Sequence, residues 1–503
     1  MNKEKFNNII KIYLDNLNSN PNLELETRFG TIKHAKKITR LDHDNVIQKL
    51  VSNDFITLEP KYMLRINSNF IDVNTGLNKI SNIRTEINGF NNVSEYCKTN
   101  NIVKNDGVMC DFVRKSFFKN NNDTIYPVNF DDFNFKVSLN NENELSINNP
   151  IVKNIVDTWN DNTKFFRYIK RHTLKHPDFP FNVDISIVKE SIKKGYKLIP
   201  KYTIQDSGVF DSIEKYEIEI EVDNSKVGLH TNYSTTLLLA NSFRKIIRLI
   251  LSGLQETNYP ISYIKQNKIL NDYMFLLWGN KYNINTRIKP KNFVGPSSFT
   301  LQIKNIANIN TNSNIPNIRN NFTVTDKADG LRKLLYISKD GSLYLIDTNM
   351  NVQFTGSNTD NKNLFNSLLD GEHILHNKNK KFINLYACFD VYYINGQDIR
   401  SFGFIPDKDE NPNEFRLPIL VNIINNLNVN SINNNNIGNI RIEHKNFYSY
   451  SDTSDIFESC KNILIKQNDG LFEYNTDGLI FTPAKMGVGS DRIGTTTKPL
   501  KKT

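Results

Sequence analysis

The stretch Tyr216-Glu-Ile-Glu-Ile-Glu-Val222 alternates carboxylates with apolar residues, and Leu23-Glu-Leu-Glu-Thr-Arg-Phe29 does the same near the start of the chain. In a β-strand, residues two apart share a face. Glu217, Glu219 and Glu221 therefore line one face, with Tyr216, Ile218 and Ile220 behind them. Glu24, Glu26 and Arg28 line one face of the other strand, against Leu23, Leu25 and Thr27. Five glutamates on two strands repel one another unless cations intervene, and clustered oxygen donors of this kind suit Mg²⁺ or Mn²⁺. A single such segment is usually a solvated strand face. Two of them, near opposite ends of one strand-rich region, point to a site.

The residues between them carry the same short-period pattern: FNFKVSL from Phe133, KFFRYIKRHTL from Lys164 and VDISIVK from Val183, separated by Asn, Asp and Gly turns. Segments of this kind predict an antiparallel sheet or barrel. Arg65, Arg84, Arg114, Lys115, Lys136, Arg167, Lys170 and Arg171 lie on other strands. A closed barrel that turned both sets inward would grip a polyphosphate with its cations and hold a metal with its glutamates. The period then changes. Leu239, Phe243, Ile246, Ile247, Ile250, Leu251 and Leu254 fall at helical spacing, with Arg244, Lys245 and Arg248 opposite. A second helical stretch runs to about Trp278, a linker holds Pro290, Gly295 and Pro296, and strands and helices mix from about Phe299.

The 503 residues give a prior of about three domains, and a hydrophobic share of 38% excludes wholesale disorder. Mean hydropathy is −0.48, and the absence of any apolar run near about 18 residues excludes a helical membrane span. The start lacks the pattern of a secretory signal. Cys97, Cys110, Cys388 and Cys460 are scattered without CxxC spacing, which argues against a zinc ribbon or disulfide scaffold and fits a reducing compartment. Asparagine runs such as Asn433–Asn436 read as loop. Net charge is +10 and the pI about 9.1, a surplus that invites a polyanion such as nucleic acid.

LELETRFG, DFNFKVSLNNE, RYIKRHTL, VDISIVK and YEIEIEVD together resemble the tunnel-fold, metal-dependent RNA triphosphatases of large DNA viruses and fungi. That resemblance implies Glu24, Glu26, Glu219 and Glu221 as ligands of Mg²⁺ or Mn²⁺, with Glu217 and Glu219 in catalysis. Arg84, Lys115, Lys136, Arg167 and Arg171 become phosphate contacts, with Glu142 beside Lys136 and Asp184 behind the ligands. Ile169 stands where such a strand often has a further base, which leaves the inward register of Arg167, Lys170 and Arg171 open.

Further on, Val324-Thr-Asp-Lys-Ala-Asp-Gly-Leu-Arg332 sets a lysine before an Asp-Gly turn. LLDGEHI with Glu372, FDVYYING with Phe389 and Asp390, and NTDGLIFTP with Asp477 follow in order. Each acid lies beside an apolar run, as a nucleotidyl-transfer site needs. The series resembles the covalent nucleotidyltransferase superfamily, most closely its mRNA guanylyltransferase branch. The resemblance implies Lys327 as the lysyl-GMP nucleophile, Arg332 and Glu372 at the ribose, Phe389 stacked on guanine, and Asp390 and Asp477 at metal or phosphate. Polynucleotide ligases usually carry Glu-Gly where this chain has Asp477-Gly478. The family's lysine-rich motif after DGLIF is matched poorly by Lys498, Lys501 and Lys502, so weak guanylylation by these residues alone is expected.

The expectation is thus an α+β chain: an antiparallel β-tunnel RNA triphosphatase over residues 1–228, a helical connector over 229–290, and a guanylyltransferase domain over 291–503 without a complete oligonucleotide-binding fold. The implied function is mRNA 5′-capping on 5′-triphosphate RNA and GTP, with no membrane partner and a cap methyltransferase on a longer chain or separate subunit. The implied location is cytoplasmic, at a viral replication site or in a virion. The alternatives are a ligase-type nucleotidyltransferase with a tripolyphosphatase domain, and a catalytically silent RNA-binding scaffold.

Overall fold

A computed structural model describes residues 2–30, 37–71, 78–104, 107–121, 123–195, 197–308, 316–432, 438–449, 455–488 and 501–502. The asparagine run and Lys498 lie outside them. The chain divides into two compact units, Met1–Glu256 and Thr257–Thr503.

In the first unit, eight strands among the described residues close on themselves. They are β1 (Leu23–Phe29), β2 (Lys61–Ile71), β3 (Ile83–Asn88), β4 (Asp111–Phe117), β5 (Phe135–Glu144), β6 (Lys164–Lys175), β7 (Phe181–Glu190) and β8 (Lys215–Val222). The circuit runs β1-β5-β4-β3-β2-β6-β7-β8 and back to β1, antiparallel throughout. Alternation then sorts the side chains. Leu23, Leu25, Val137, Leu139, Val183, Ile185, Ile218 and Ile220 face outward into a core with α1 (Lys3–Leu17), α2 (Arg40–Val51) and, further along the chain, the helix Thr236–Gln255. Leu64, Ile66, Ile83, Phe112 and Phe166 face a second core with α3 (Phe90–Thr99) and α4 (Pro150–Asp157). Each such side chain contributes about 1.5–3 kcal/mol on burial, so the barrel's stability lies on its outer face and leaves its interior free for charge.

The predicted helix over Leu239–Leu254 is α5 (Thr236–Gln255), begun by Thr235, whose side chain accepts the Leu238 amide. Its apolar stripe at Leu239, Phe243, Ile246, Ile247, Ile250 and Leu251 is buried against the barrel. The following α6 (Tyr263–Trp278) buries Ile269, Tyr273 and Met274 in the second unit. The two helices of the expected connector are thus built into different cores.

The second unit holds a sheet of β10 (Leu331–Ile337), β11 (Ser342–Asp347), β12 (Val352–Asn358), β13 (Ser367–His376) and β14 (Phe382–Ile394), ordered β14-β13-β10-β11-β12. Leu334, Tyr336, Tyr344 and Ile346 face α6, and Leu335, Ile337, Leu343 and Leu345 face α7 (Arg416–Asn426). The strand β15 (Arg441–His444) joins β14 in parallel. A smaller sheet sets β9 (Phe322–Ala328) beside β16 (Thr476–Pro483), backed by Ile456, Cys460 and Ile463 of α8 (Ile456–Asn468).

Gly253 of α5 lies so close to α2 that a Cβ there would stand 2.8 Å from Val46 Cα, a backbone atom with no rotamer to give. Alanine is the better helix former by about 1 kcal/mol. Gly253→Ala is nevertheless expected to destabilise the first unit by about 1–3 kcal/mol through overpacking, read as a lower urea midpoint for its transition. An unchanged or higher midpoint would mean that α2 retreats at no cost.

Candidate functional site

Register around the barrel puts the charged residues on one inner surface. Glu26 lies opposite Glu221, Arg28 opposite both Glu219 and Lys136, Arg65 opposite Glu86 and Arg167, and Asp184 opposite Glu219. Ion pairs that skip a strand mark a shared interior. Lys115 of β4 reaches Glu24 and, at 2.9 Å, Glu26 of β1. Arg171 of β6 lies 3.6 Å from Glu219 of β8 and pairs with Asp184 at 2.7 Å. Arg84 of β3 reaches Glu142 of β5 at 3.2 Å, and Arg167 of β6 holds Glu217 of β8. The register left open by the sequence is now read: Arg167, Ile169 and Arg171 share the inner face, and Lys170 lies outside near the Tyr62 ring. Lys136 is also on the inner face, and among the described residues no acid partner is recorded for it. Two inward acids that sequence reasoning passed over, Glu86 and Glu190, each pair with arginine. Neither sits in a run of acids, so nothing marked them.

Burial and the charges of Glu24 and Asp184 push Glu221 up to about 7. Burial raises Glu24 also, with Glu26 and Glu142 adding to it and Lys115 opposing. Burial alone would raise Glu219, but Arg28 (2.6 Å) and Arg171 hold it below the usual range. Glu221 is thus crowded by acids and short of positive charge, while Glu24 shares Lys115 with Glu26. Four carboxylates on neighbouring strands with that deficit fit a hard divalent cation in chemistry. In the present arrangement Glu24, Glu26 and Glu219 pair with protein cations while Glu221 faces Glu24 and Asp184, and among the described residues no three acid, histidine or cysteine side chains gather closely enough to hold a metal.

In the second unit two β-bulges build the site. Pairing between β9 and β16 slips between Asp326 and Ala328, where Asp477 and Gly478 of β16 stand opposite the single Lys327 of β9, and Lys327 Nζ lies 2.5 Å from Asp477 Oδ2. Pairing between β13 and β14 slips between Asp370 and Gly371, and Phe389 takes the extra position. Bulges re-aim side chains, and here one turns Asp477 toward the nucleophile candidate and the other turns out the aromatic. Arg332 lies opposite Glu372. Gly330 is needed because a Cβ would meet Glu372 Cγ at 2.8 Å. Burial, aided by Asp370, raises Glu372 to about 7.

Two expectations change. Arg332 is committed to Asp370 (Nη2 to Oδ2, 2.5 Å; Nε to Oδ1, 3.1 Å), donates to Pro296 O at 2.7 Å, and lies over the Phe293 and Phe389 rings. Asp390 is not presented to metal or phosphate. It is fully buried and accepts Arg416 Nε at 2.8 Å, beside the bulge at Phe389 on a strand covered on both faces. Sequence reasoning missed Asp370, although its place two residues before Glu372 put it on the same face. It also missed Lys445, a buried lysine 2.9 Å from Asp326. A lone lysine after β15 carries no signal.

For Glu221 the folded chain holds its proton more tightly than the unfolded chain between about pH 4.5 and 7. Its contribution therefore falls as pH rises through that window. Glu221→Gln is expected to stabilise the first unit by about 1–3 kcal/mol at pH 8 and little at pH 4, read from urea midpoints. Mg²⁺ at pH 8 should raise the midpoint of the parent more than that of the variant. A parent midpoint flat between pH 5 and 8 would mean that Glu221 ionises without penalty.

Residues 280–496 match the family model of the mRNA capping enzyme, catalytic domain. A probable mRNA-capping enzyme of Acanthamoeba polyphaga mimivirus is 28% identical over 263 residues, covering 50% of this chain and 19% of that protein. The chain thus spans about a fifth of that relative's length. Among solved structures, the mimivirus capping enzyme triphosphatase aligns over 50% of this chain and 98% of its own at 14% identity, with a TM-score of 0.31. An S. pombe RNA triphosphatase aligns over 49% and 92% at 12% identity, with a TM-score of 0.29. The chain resembles a viral mRNA-capping enzyme, and its likeness to a capping-enzyme catalytic domain lies in residues 280–496.

Proposed function

We propose that the chain caps mRNA 5′ ends in two steps: the first unit removes the γ-phosphate of 5′-triphosphate RNA, and the second carries GMP from GTP to the diphosphate end through Lys327. The observation that carries the reading is the closed barrel whose inner face interleaves carboxylates with arginine and lysine. Such a surface takes a polyanion by exchange. Lys115 released from Glu24 and Glu26, and Arg171 from Asp184 and Glu219, become phosphate donors alongside Arg84, Arg167 and Lys136. The freed Glu24, Glu26, Glu219 and Glu221 are the residues to hold Mg²⁺ or Mn²⁺, which supplies charge neutralisation at the γ-phosphate. Glu219, kept ionised by arginine, is suited to accept a proton from the attacking water, with Glu217 beside it at Arg167. The bond from γ-phosphorus to the bridging oxygen breaks, and diphosphate RNA and phosphate leave.

In the second unit Lys327 Nζ, once released by Asp477 and deprotonated, attacks the α-phosphorus of GTP. An N–P bond forms, the α–β bridge breaks and pyrophosphate departs. A β-phosphate oxygen of the RNA then attacks the same phosphorus and restores the lysine. Phe389 supplies a face for the base and Glu372 a partner for a ribose hydroxyl. Arg332 braces the wall between Phe293 and Phe389 through Asp370. Guanine as the base, methylation by a partner, and a cytoplasmic viral site rest on the family resemblance. No helix among the described residues is long and apolar enough to cross a membrane.

Glu24→Ala or Glu219→Ala is expected to lower γ-phosphate release about a hundredfold or more while lysyl-GMP still forms, since each unit has its own core. Normal release in both variants would leave these glutamates as bystanders.

Lys327→Ala and Lys327→Arg should both lose the covalent adduct from labelled GTP, because a guanidinium remains protonated. The parent adduct, a phosphoramidate, should survive base and break in acid. Label from ATP and none from GTP would turn the reading to a ligase. An adduct persisting in Lys327→Ala would put the nucleophile elsewhere.

A further inference from the structure

We infer that Lys445 is a positioning residue of the second unit, whose side chain and backbone amide together set Lys327 against Phe389; the inference rests on the nucleotidyl-transfer reading above. Two peptides deliver the nucleophile and the aromatic, Asp326–Lys327 in β9 and Cys388–Phe389 in β14. Lys445 holds the carbonyl of each. Its Nζ donates to Asp326 O, and its backbone N donates to Cys388 O at 2.8 Å. The strand β9 belongs to the smaller sheet and β14 to the larger one, so a single residue spans the seam between the two sheets at the site.

The path of the chain puts it there. Through β15 the chain runs beside β14 and ends that pairing with His444 opposite Cys388. Tyr448 and Ser449 then pair with Val324 and Thr323 of β9. Lys445 is thus the residue at which the chain leaves one sheet for the other, and the next carbonyl, Asn446 O, accepts Thr325 Oγ1 of β9 at 2.7 Å. The ammonium group turned back onto β9 is buried, with Lys445 and Asp326 each only 5% exposed. Nζ lies 2.9 Å from Asp326 Oδ2, and Tyr474 OH donates to the same oxygen at 3.2 Å. A buried ion pair is a poor means of stabilising a core, since apolar side chains of similar volume often do as well or better. A lysine adds what an apolar side chain lacks, a directed bond to one chosen carbonyl. Here that carbonyl belongs to the peptide of the nucleophile itself. The charge is also felt at the ribose candidate: burial, then Asp370, raise Glu372, and Lys445 opposes them ahead of Arg332 and Lys327.

The test compares the parent with Lys445→Met and with Lys445→Met/Asp326→Asn in single-turnover formation of lysyl-GMP from labelled GTP, beside urea midpoints for the second unit. The single variant leaves Asp326 buried without its cation and should lower the midpoint. The double variant removes both charges and should recover most of it. Both should form the adduct about a hundredfold more slowly at saturating GTP, the effect of a nucleophile misplaced by about 1 Å, while half-saturation by GTP stays within about threefold of the parent. Stability recovered without rate is the result that a positioning role requires. A parent-like rate constant in the double variant overturns the inference, and so does a loss confined to the burst amplitude, which follows the folded fraction. A raised half-saturation at an unchanged rate overturns it in favour of GTP binding. Hydrogen exchange over residues 324–329, read without nucleotide, should quicken in the double variant. A parent that forms no adduct, in a pair that shows this quickening, would keep Lys445 as the tie between the sheets and sink nucleotidyl transfer. Without the quickening both would fall, so the two failures read differently.

Discussion

Charge balance inside a closed barrel is the constraint on which the first unit depends. Eight strands leave no edge, and every second side chain must point into a space with little water. An ion there needs a partner, because leaving it alone costs far more than a surface charge would. The chain meets this with pairs that reach across strands, Lys115 to Glu24 and Glu26, Arg171 to Asp184 and Glu219, Arg84 to Glu142. The balance is uneven. Glu219 has arginines on two sides, whereas burial, with Glu24 and Asp184 beside it, pushes Glu221 up to about 7. An interior like this is stable enough to persist and unsatisfied enough to exchange partners when a polyphosphate and a cation arrive.

That interior is possible because the apolar work is done outside. The outward residues of β1, β5, β7 and β8 pack on α1, α2 and α5, so the barrel is supported from its surface rather than from its centre. The usual order of a small barrel, with a filled interior, is thereby reversed. The second unit solves a different problem. Its sheet is covered by α6 on one face and α7 on the other, and its chemistry sits where the pleat is broken. At Phe389, and in β16 opposite Lys327, an extra residue disturbs the ladder and re-aims a side chain at the site.

Much of this was legible in advance because strand geometry is local. The period of two in Leu23–Phe29 and Tyr216–Val222 sorted carboxylates from apolar residues, and the barrel keeps that sorting unchanged. The period of 3.6 in α5 named its buried stripe residue by residue. The order of KADGLR, DGEH, FDVYY and DGLIF marked the site to which we assign nucleotidyl transfer before any strand was placed. Asp390 was misjudged for an equally physical reason. Its neighbour Phe389 sits in a bulge, so the two do not divide between faces in the way an unbroken strand would impose, and Asp390 ends against Arg416, 26 residues on.

What the sequence by itself determined is what depends on near neighbours: which residues share a face, where helices run, which acids and lysines stand in motif order. Tertiary structure alone decided the rest. Only closure of β2 on β6 makes the inner face of the sheet an enclosed interior, and only the strand order β4-β5-β1 brings Lys115 to Glu24 across β5. Only the slip of β9 against β16 sets Lys327 beside Asp477, 150 residues later. Pairing partners and bulges are set by cores formed from distant segments, and the energy that selects them is spread over those cores rather than written in the residues that the site uses.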